Sequence, residues 1–299
     1  MTVADQDGHA PPRGGPIGII CGGGTIPFAV ADAIVRQGRQ PVLFAIEKYA
    51  DPKRVAGYRH HWLPLGRAGL LFRLLQEAGC QDVVMIGQLV RPRLRDLRFD
   101  WRTIRLLPRV AAAMRGGDDH LLSGIGRMFE DHGFRLLGAH EVAPEVLMPA
   151  GIMGRHKPSA SDRTDIVRGL AVLDAIGAFD VGQAVVVAGN HVLAIEGVEG
   201  TDLLLERVAS LRAVGRIRTR DGVGVVVKAP KRGQDMRYDL PSIGPGMVAR
   251  AGAAGLAGIA VVAGASIIAE PEQLLEMADR LGVFVVGVEA DGSIGGDDG

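Results

Sequence analysis

The sequence contains few cysteines and few aromatic residues, and its charges balance. Only two of the 299 residues are cysteines, Cys21 and Cys80, which excludes a disulfide scaffold and a zinc site of four cysteines. Aromatic residues make up 4% of the chain, too few for a base-stacking surface that binds single-stranded nucleic acid. The 34 basic residues equal the 34 acidic ones, which argues against a general polyanion binder. We therefore expect no nucleic-acid partner and a reducing, cytoplasmic location.

The sequence also lacks a visible targeting or membrane-spanning segment. Residues 1–16 are polar, without the basic start and apolar core of a signal peptide. We interpret them as a disordered tail, and the acidic, glycine-rich residues 291–299 as another. The uncharged run 251–269 nearly reaches the length of a spanning helix, but it is mostly alanine and glycine. It is better explained as a small-residue helix followed by a buried strand.

Apolar runs and helical patterns alternate along the first half of the chain. This alternation is typical of a doubly wound, mostly parallel sheet of the Rossmann-like type, which we place at residues 17–143. The predicted strands are 17–21, 41–46, 82–86 and 134–139. The predicted helices are 27–36, 69–78, 101–114 and 120–132.

A second α/β domain is predicted at residues 162–290, after a linker at 144–161 that is rich in proline, glycine and methionine. Its first helix is expected from Asp162, a plausible N-cap residue. The apolar stretch 183–198 is broken by Gly189-Asn190, which indicates a turn between two strands. The later predicted elements are a helix at 201–213, a strand at 222–228, and a helix, strand, helix and strand ending at 289.

A glycine-rich segment lies where the first strand meets the first helix. Gly22, Gly23, Gly24 and Thr25 would let the backbone approach a phosphate at the positive end of that helix. The pattern departs from the dinucleotide fingerprint because Pro27 stands where the third glycine is expected. A tight turn without any ligand is the alternative interpretation.

A run of arginines that begins at Arg91 follows the third predicted strand. The carboxyl ends of parallel strands are where open α/β sheets bind ligands, and the planar guanidinium suits phosphate oxygens. A solvated basic face is the alternative, because arginine supplies 29 of the 34 basic residues.

The densest set of charged side chains lies between a predicted strand and a helix, in residues 228–244. Lys228 and Lys231 precede the sequence Asp235-Met-Arg237-Tyr-Asp239. If this sequence is extended, both carboxylates and the arginine project to one side. Such a group could bind a divalent cation and hold a phosphate oxygen beside it. A surface loop whose charges pair internally is the alternative.

A second candidate group of site residues consists of Glu196, Glu199, Thr201 and Asp202. The two glutamates could support or bind a metal ion. Thr201 or Asp202 would, in the simpler interpretation, cap the following helix.

Several separate segments together resemble one family, the UDP-2,3-diacylglucosamine pyrophosphatases of the LpxI type. The matching segments are 18–27, 87–92 with 97–98, 117–122, 180–187, 199–202, and 234–241 with 243–244. The resemblance implies two domains with the substrate held between them. It also implies hydrolysis of UDP-2,3-diacylglucosamine to UMP and 2,3-diacylglucosamine 1-phosphate (lipid X) with magnesium, in the lipid A pathway. It further implies an essential aspartate in 234–241, which we assign to Asp235 first and Asp239 second.

The residues themselves suit this chemistry, because cations on a diphosphate reduce its repulsion of an incoming hydroxide. We assign Asp235 and Asp239 to Mg²⁺ and water, and Arg237 with the two lysines to the diphosphate. The other predicted substrate-binding residues are Gly22, Gly23, Gly24, Thr25, Arg91, Thr201 and Asp202. We also expect a homodimer and peripheral contact with the inner membrane. The competing hypotheses are a nicotinamide-dependent oxidoreductase, favoured by the glycine turn and Glu47, and a non-catalytic nucleotide-sugar-binding protein.

Overall fold

The computed structural model of the chain describes residues 15–89, 118–179, 181–231, 235–237 and 240–295, with side chains in the fourth helix described from residue 124. These residues form two compact units: the first ends at Leu137, and the second begins at Gly138 and also includes residues 118–120 at the start of the fourth helix. Arg91, Asp239 and the predicted helix 101–114 lie outside the described residues, as do most of the two predicted tails.

The first unit is built around a parallel sheet. Its strands are β1 (Ile17–Cys21), β2 (Pro41–Ile46), β3 (His60–Leu63), β4 (Asp82–Ile86) and β5 (Arg135–Leu137). The helices between them in sequence are α1 (Ile26–Arg36), α2 (Pro52–Val55), α3 (Ala68–Glu77) and α4 (Asp118–Asp131). Every residue of β1 and β2 is buried, as expected for parallel strands covered on both faces.

The strand order in this sheet is β3-β2-β1-β4-β5, and the pairs of neighbours are parallel. The predicted doubly wound parallel sheet is therefore confirmed. Strand β3 was not predicted, because its sequence His-His-Trp-Leu is only partly apolar and three of its four residues are half-buried. The order reverses between β1 and β4, and such a switch point is the usual ligand crevice of open α/β sheets.

The second unit contains a mixed sheet. Its strands are β6 (Gly151–Met153), β7 (Ala184–Ala188), β8 (His191–Ile195), β9 (Val225–Lys228), β10 (Ser242–Ile243), β11 (Gly258–Val262), β12 (Ile267–Ile268) and β13 (Phe284–Val288). Its helices are α5 (Ala139–Val142), α6 (Ala160–Gly177), α7 (Gly200–Ala213), α8 (Pro245–Ala253) and α9 (Pro271–Leu281). In the described residues the main sheet has the order β6-β13-β11-β9-β7-β8, and β10 pairs with β12.

Alternating side chains of the main sheet supply two separate cores. Val186 and Val226 pack with α7, α8 and α9 on one face, whereas Val185 and Val227 pack with α6 on the other. The predicted second α/β domain is confirmed, with β9, β11 and β13 parallel at its centre. The carboxyl end of β9 is therefore the start of a loop at the edge where such sheets place ligands.

Helix α6 begins earlier than expected, and its N-cap is Ser159 rather than Asp162. The Ser159 side chain accepts a hydrogen bond from the Asp162 N–H, and the Asp162 carboxylate accepts one from the Ser159 N–H. This reciprocal pair satisfies two otherwise unpaired donors of the helix start. The segment interpreted as a linker, 144–161, contains a 3₁₀ turn (Pro144–Val146) and β6, which pairs antiparallel with β13.

Asp165 is expected to be important for the stability of the second unit. Its side chain is 1% exposed and accepts hydrogen bonds from the N–H groups of Gly189 (2.9 Å) and Asn190 (2.5 Å). These residues form the predicted turn, and both have positive φ. Asp165→Ala should lower the free energy of unfolding by about 2–3 kcal/mol, because the turn loses the buried carboxylate that accepts two of its backbone N–H groups.

The measurement is hydrogen exchange of the peptide spanning 184–195, together with calorimetric unfolding. Exchange of the Gly189 and Asn190 amides should become faster in the variant, since the local opening free energy falls. Asp174→Ala, on an exposed position of the same helix, is the control and should change neither quantity. Unchanged exchange in the Asp165 variant would show that the turn does not depend on this carboxylate.

The uncharged run 251–269 contains the end of α8 and strand β11, as expected, and also the short strand β12. Within the residues the structure describes, no helix has the length and apolar character required to cross a membrane.

Candidate active site of the second unit

The loop that joins β9 to β10 carries most of the predicted catalytic residues. It leaves the sheet at Lys228, the last residue of β9, whose Nζ donates a hydrogen bond to the Ser242 carbonyl at 3.1 Å. This bond links the two ends of the loop. Lys231 is partly buried within it. Lys228 therefore lies at the end of β9 where the loop begins, and Lys231 lies on the loop that carries Asp235 and Arg237.

Asp235 and Arg237 form a tight turn instead of the extended segment considered from the sequence. The Arg237 N–H donates to Asp235 Oδ1 at 3.0 Å, so the aspartate side chain bonds to the backbone two residues ahead. The guanidinium also contacts both carboxylate oxygens, with Nε at 3.0 and 3.1 Å and Nη2 at 2.7 Å. Both side chains are about one-third exposed, at 31% for Arg237 and 32% for Asp235.

These contacts determine the ionisation of Asp235. Burial by itself raises the pKa of the Asp235 carboxyl. The side-chain and backbone hydrogen bonds from Arg237, its positive charge, and the electrostatic effect of His140 act in the opposite direction and hold the pKa below its ordinary value. Asp235 is therefore a carboxylate at neutral pH, able to accept a proton or orient a water.

His140 is a residue of this site that the sequence did not indicate. It lies in α5, almost a hundred positions before Asp235 in the chain. The Cα of Gly138 separates the two segments: a Cβ placed there would overlap the His140 ring and lie 3.2 Å from the Arg237 Cα. Gly138 has ordinary extended dihedral angles, so the glycine is required for space and not for its backbone conformation. Only the tertiary structure brings His140 to the loop.

The described residues offer a small set of metal donors. Among them, no group of three or more histidine, cysteine, aspartate or glutamate side chains comes together. Asp239, the second predicted ligand, lies outside the described part of the chain. A single carboxylate such as Asp235 nevertheless fits Mg²⁺, which is usually held by one or two carboxylates together with substrate phosphates and water.

In the glycine-rich segment of the first unit, some of the backbone N–H groups already donate hydrogen bonds to carbonyls of the protein. The Gly22 and Gly23 N–H groups donate to the carbonyls of Ile86 and Gln88, each at 2.9 Å. Within the described residues, the N–H groups of Gly24 and Thr25 have no acceptor, and Thr25 precedes α1 without a side-chain cap bond. The predicted phosphate contact therefore depends on these two amides, at the switch point of the sheet.

The residues of the second candidate group, Glu196 to Asp202, make hydrogen bonds and ion pairs with protein groups around them. The carboxylate of Glu196, a buried residue, accepts hydrogen bonds from the Gln183 N–H at 3.1 Å and the Thr201 hydroxyl at 3.2 Å. Asp202 is exposed and pairs with Arg250 at 3.4 Å. Neither Thr201 nor Asp202 caps α7, because the helix begins at Gly200 and its N-cap position is Glu199. A substrate contact of Thr201 or Asp202 stays a prediction.

The two cysteines are core residues, as expected. Cys21 is fully buried and Cys80 is 2% exposed. Burial raises the pKa of both thiols to about 11, so neither is a thiolate nucleophile at neutral pH.

Comparison with known proteins identifies the family. The model of the LpxI N-terminal domain matches residues 16–146, and that of the LpxI C-terminal domain matches residues 149–286. The chain belongs to the LpxI family. It is 39% identical over 273 residues to the protein named UDP-2,3-diacylglucosamine pyrophosphatase LpxI from Caulobacter vibrioides, across 91% of this chain and 97% of that relative. The LpxI C-terminal match includes the whole loop between β9 and β10.

Proposed function

We propose that this LpxI-family chain hydrolyses the pyrophosphate bond of UDP-2,3-diacylglucosamine, giving UMP and lipid X for lipid A biosynthesis. The observation that carries the proposal is the 39% identity to a pyrophosphatase of that name along almost the whole of both chains. The reaction consumes one water: its oxygen forms a bond to one phosphorus, the anhydride P–O bond breaks, and two phosphate monoesters leave.

The loop between β9 and β10 supplies groups suited to this reaction. Asp235 is ionised and can orient the attacking water or take its proton. Arg237, Lys228 and Lys231 place positive charge on the same loop, where it can offset the charge of the diphosphate. The alternative oxidoreductase activity is not favoured by any contact described above, and the family assignment argues against it.

We also propose Mg²⁺ as the cofactor, with Asp235 and Asp239 as its protein ligands. When bound, the ion would neutralise charge on the diphosphate oxygens. Formation of a homodimer, peripheral contact with the inner membrane and a cytoplasmic location are further proposals.

The test is to incubate the purified protein with detergent-dispersed UDP-2,3-diacylglucosamine and Mg²⁺ and to measure UMP by chromatography. We expect UMP and lipid X in equal amounts, loss of the reaction with EDTA, and recovery when Mg²⁺ is added back. Absence of UMP would overturn the proposed activity. UMP release that EDTA leaves unchanged would overturn the metal requirement alone.

A further inference from the structure

Four large apolar side chains are exposed on the second unit between positions 179 and 203. They are Phe179, which is 77% exposed, Val181, Val198, which is fully exposed, and Leu203. Single exposed apolar residues are ordinary on a protein surface, but a group of them usually marks a surface that contacts another protein or a lipid. We call these four residues the apolar corner.

The two chain segments that carry the apolar corner adjoin each other. One precedes β7 and the other follows β8, and these strands are antiparallel neighbours. A Cβ placed on Gly182 would overlap the carbonyl oxygen of Glu196, and the Gln183 N–H donates to the Glu196 carboxylate at 3.1 Å. Val181 is next to this contact in the chain, and Val198 is two residues away from it. The exposed apolar side chains therefore belong to one corner of the sheet.

The apolar corner lies at the edge of the sheet from which the loop between β9 and β10 leaves. Ala184 pairs with Lys228, and its carbonyl accepts a hydrogen bond from the Glu196 N–H at 2.9 Å. These three residues form a row across neighbouring segments, and a strand spacing of about 4.8 Å puts the two ends of the row about 10 Å apart. The Ala229 N–H also donates to the Gln183 carbonyl at 3.0 Å. The proposed catalytic loop thus begins beside the apolar corner.

The proposed substrate gives a reason for apolar side chains beside this loop. UDP-2,3-diacylglucosamine carries two acyl chains, which remain in a lipid environment because each buried methylene favours it. The attached diphosphate then lies at the level of the lipid headgroups. Apolar faces of peripheral proteins enter this region by roughly 5–10 Å. Insertion of the apolar corner would therefore bring Lys228 and its loop close to the level of the diphosphate.

The charged residues next to the apolar corner are paired, which favours apolar insertion over electrostatic attachment. Glu199 pairs with Arg207 at 2.8 Å, and Asp202 pairs with Arg250 at 3.4 Å. Attachment to anionic headgroups instead uses clusters of basic residues, and it weakens as salt screens the charges. Binding through the apolar corner should depend little on salt.

We propose that the apolar corner inserts into the lipid surface that holds the substrate and so places the loop between β9 and β10 at the headgroups. This inference rests on the proposed pyrophosphatase activity, and it assigns the proposed membrane contact to four particular side chains. The partner is a bilayer of phospholipids, and the contact is made with its acyl region.

The first test measures sedimentation of the protein with vesicles of phosphatidylethanolamine and phosphatidylglycerol, without substrate. The double variant Phe179→Ser with Val198→Ser should lower the partition constant about 100-fold, because each apolar side chain contributes about tenfold. The unfolding midpoint should not change, since both positions are exposed. Val214→Ser, at an exposed position at the opposite end of α7, is the control and should bind like wild type.

The second test compares UMP release from substrate held in the same vesicles with release from an analogue that has short, water-soluble acyl chains. The double variant should lose about 10- to 100-fold in kcat/KM on the vesicle substrate. On the soluble analogue it should stay within about twofold of wild type, because the groups that act on the diphosphate are unchanged.

The outcomes separate this inference from the proposed function. The inference is wrong if the wild type does not bind vesicles, or if the double variant binds them equally well. It is also wrong if the double variant still binds vesicles but loses self-association in sedimentation velocity, since the apolar corner would then be an interface between two copies of the chain. A wild type that binds vesicles through the apolar corner but releases no UMP overturns the proposed activity alone.

Discussion

Asp235→Asn is expected to lower kcat for UMP release by about 10²- to 10⁴-fold, the range found when a carboxylate that moves a proton is removed. The substitution keeps the shape of the side chain but removes its charge and one of its acceptor oxygens. The amide can still accept a hydrogen bond from Arg237, so the turn between β9 and β10 should persist. The large effect is therefore expected on turnover, with little change in the unfolding midpoint.

A matched control is available in the same unit. Asp221 also faces an arginine, with Arg212 Nη1 3.7 Å from its carboxylate, but its side chain is 85% exposed. Asp221→Asn should leave kcat unchanged, because a carboxylate this exposed contributes little to its ion pair and Asp221 lies outside the proposed catalytic loop. If Asp235→Asn retained a kcat within about twofold of wild type, the catalytic assignment of Asp235 would be wrong.

Asp82→Ala is expected to have the largest effect on stability, about 3–5 kcal/mol lost from the first unit. Asp82 is 1% exposed at the first position of β4, where it pairs with Arg39 at 3.0 Å and with Arg135 at 2.8 Å. The same Arg39 side chain donates to the Gly15 carbonyl at 2.8 Å. Removing the carboxylate takes one buried negative charge away from two partly buried guanidinium groups.

Tryptophan fluorescence during urea unfolding is a suitable measurement, because no tryptophan follows residue 138 and Trp62 lies in β3. The midpoint in urea should fall markedly for Asp82→Ala. Glu77→Ala is the control: Glu77 pairs with Arg73 at 3.7 Å, both side chains are more than 60% exposed, and the expected loss is below about 0.5 kcal/mol. Equal midpoints for the two variants would show that the buried ion pairs contribute no net stability.

The two units differ in how well the surroundings of their candidate residues could be predicted. In the second unit, Lys228, Asp235 and Arg237 were proposed because mixed charge and proline are concentrated directly after a buried strand, and the structure places them at or after the end of β9. In the first unit, the glycine-rich segment lies between β1 and α1, as predicted. The sequence could not show that the N–H groups of Gly22 and Gly23 donate to the carbonyls of Ile86 and Gln88. Those bonds join segments more than sixty residues apart.

Some contacts near the site could have been predicted from local sequence alone. An aspartate two residues before Arg237 is a common start of a side-chain turn, which competes with an extended conformation. Ser159 followed three positions later by Asp162 resembles a capping box, so the true start of α6 was visible in the sequence. In both cases the short-range hydrogen bond was the stronger determinant.

The sequence by itself determined the alternation of strands and helices, the two-part organisation, the turn at Gly189-Asn190 and the LpxI family, because these depend on periodicity, local turn chemistry and motif spacing. The tertiary structure alone decided that His140 lies beside the loop of Asp235, that the Arg237 guanidinium binds the Asp235 carboxylate, and that Asp82 forms ion pairs with two arginines. Each of these depends on packing between distant segments, and the space left by the missing side chain of Gly138 is what allows the first of them.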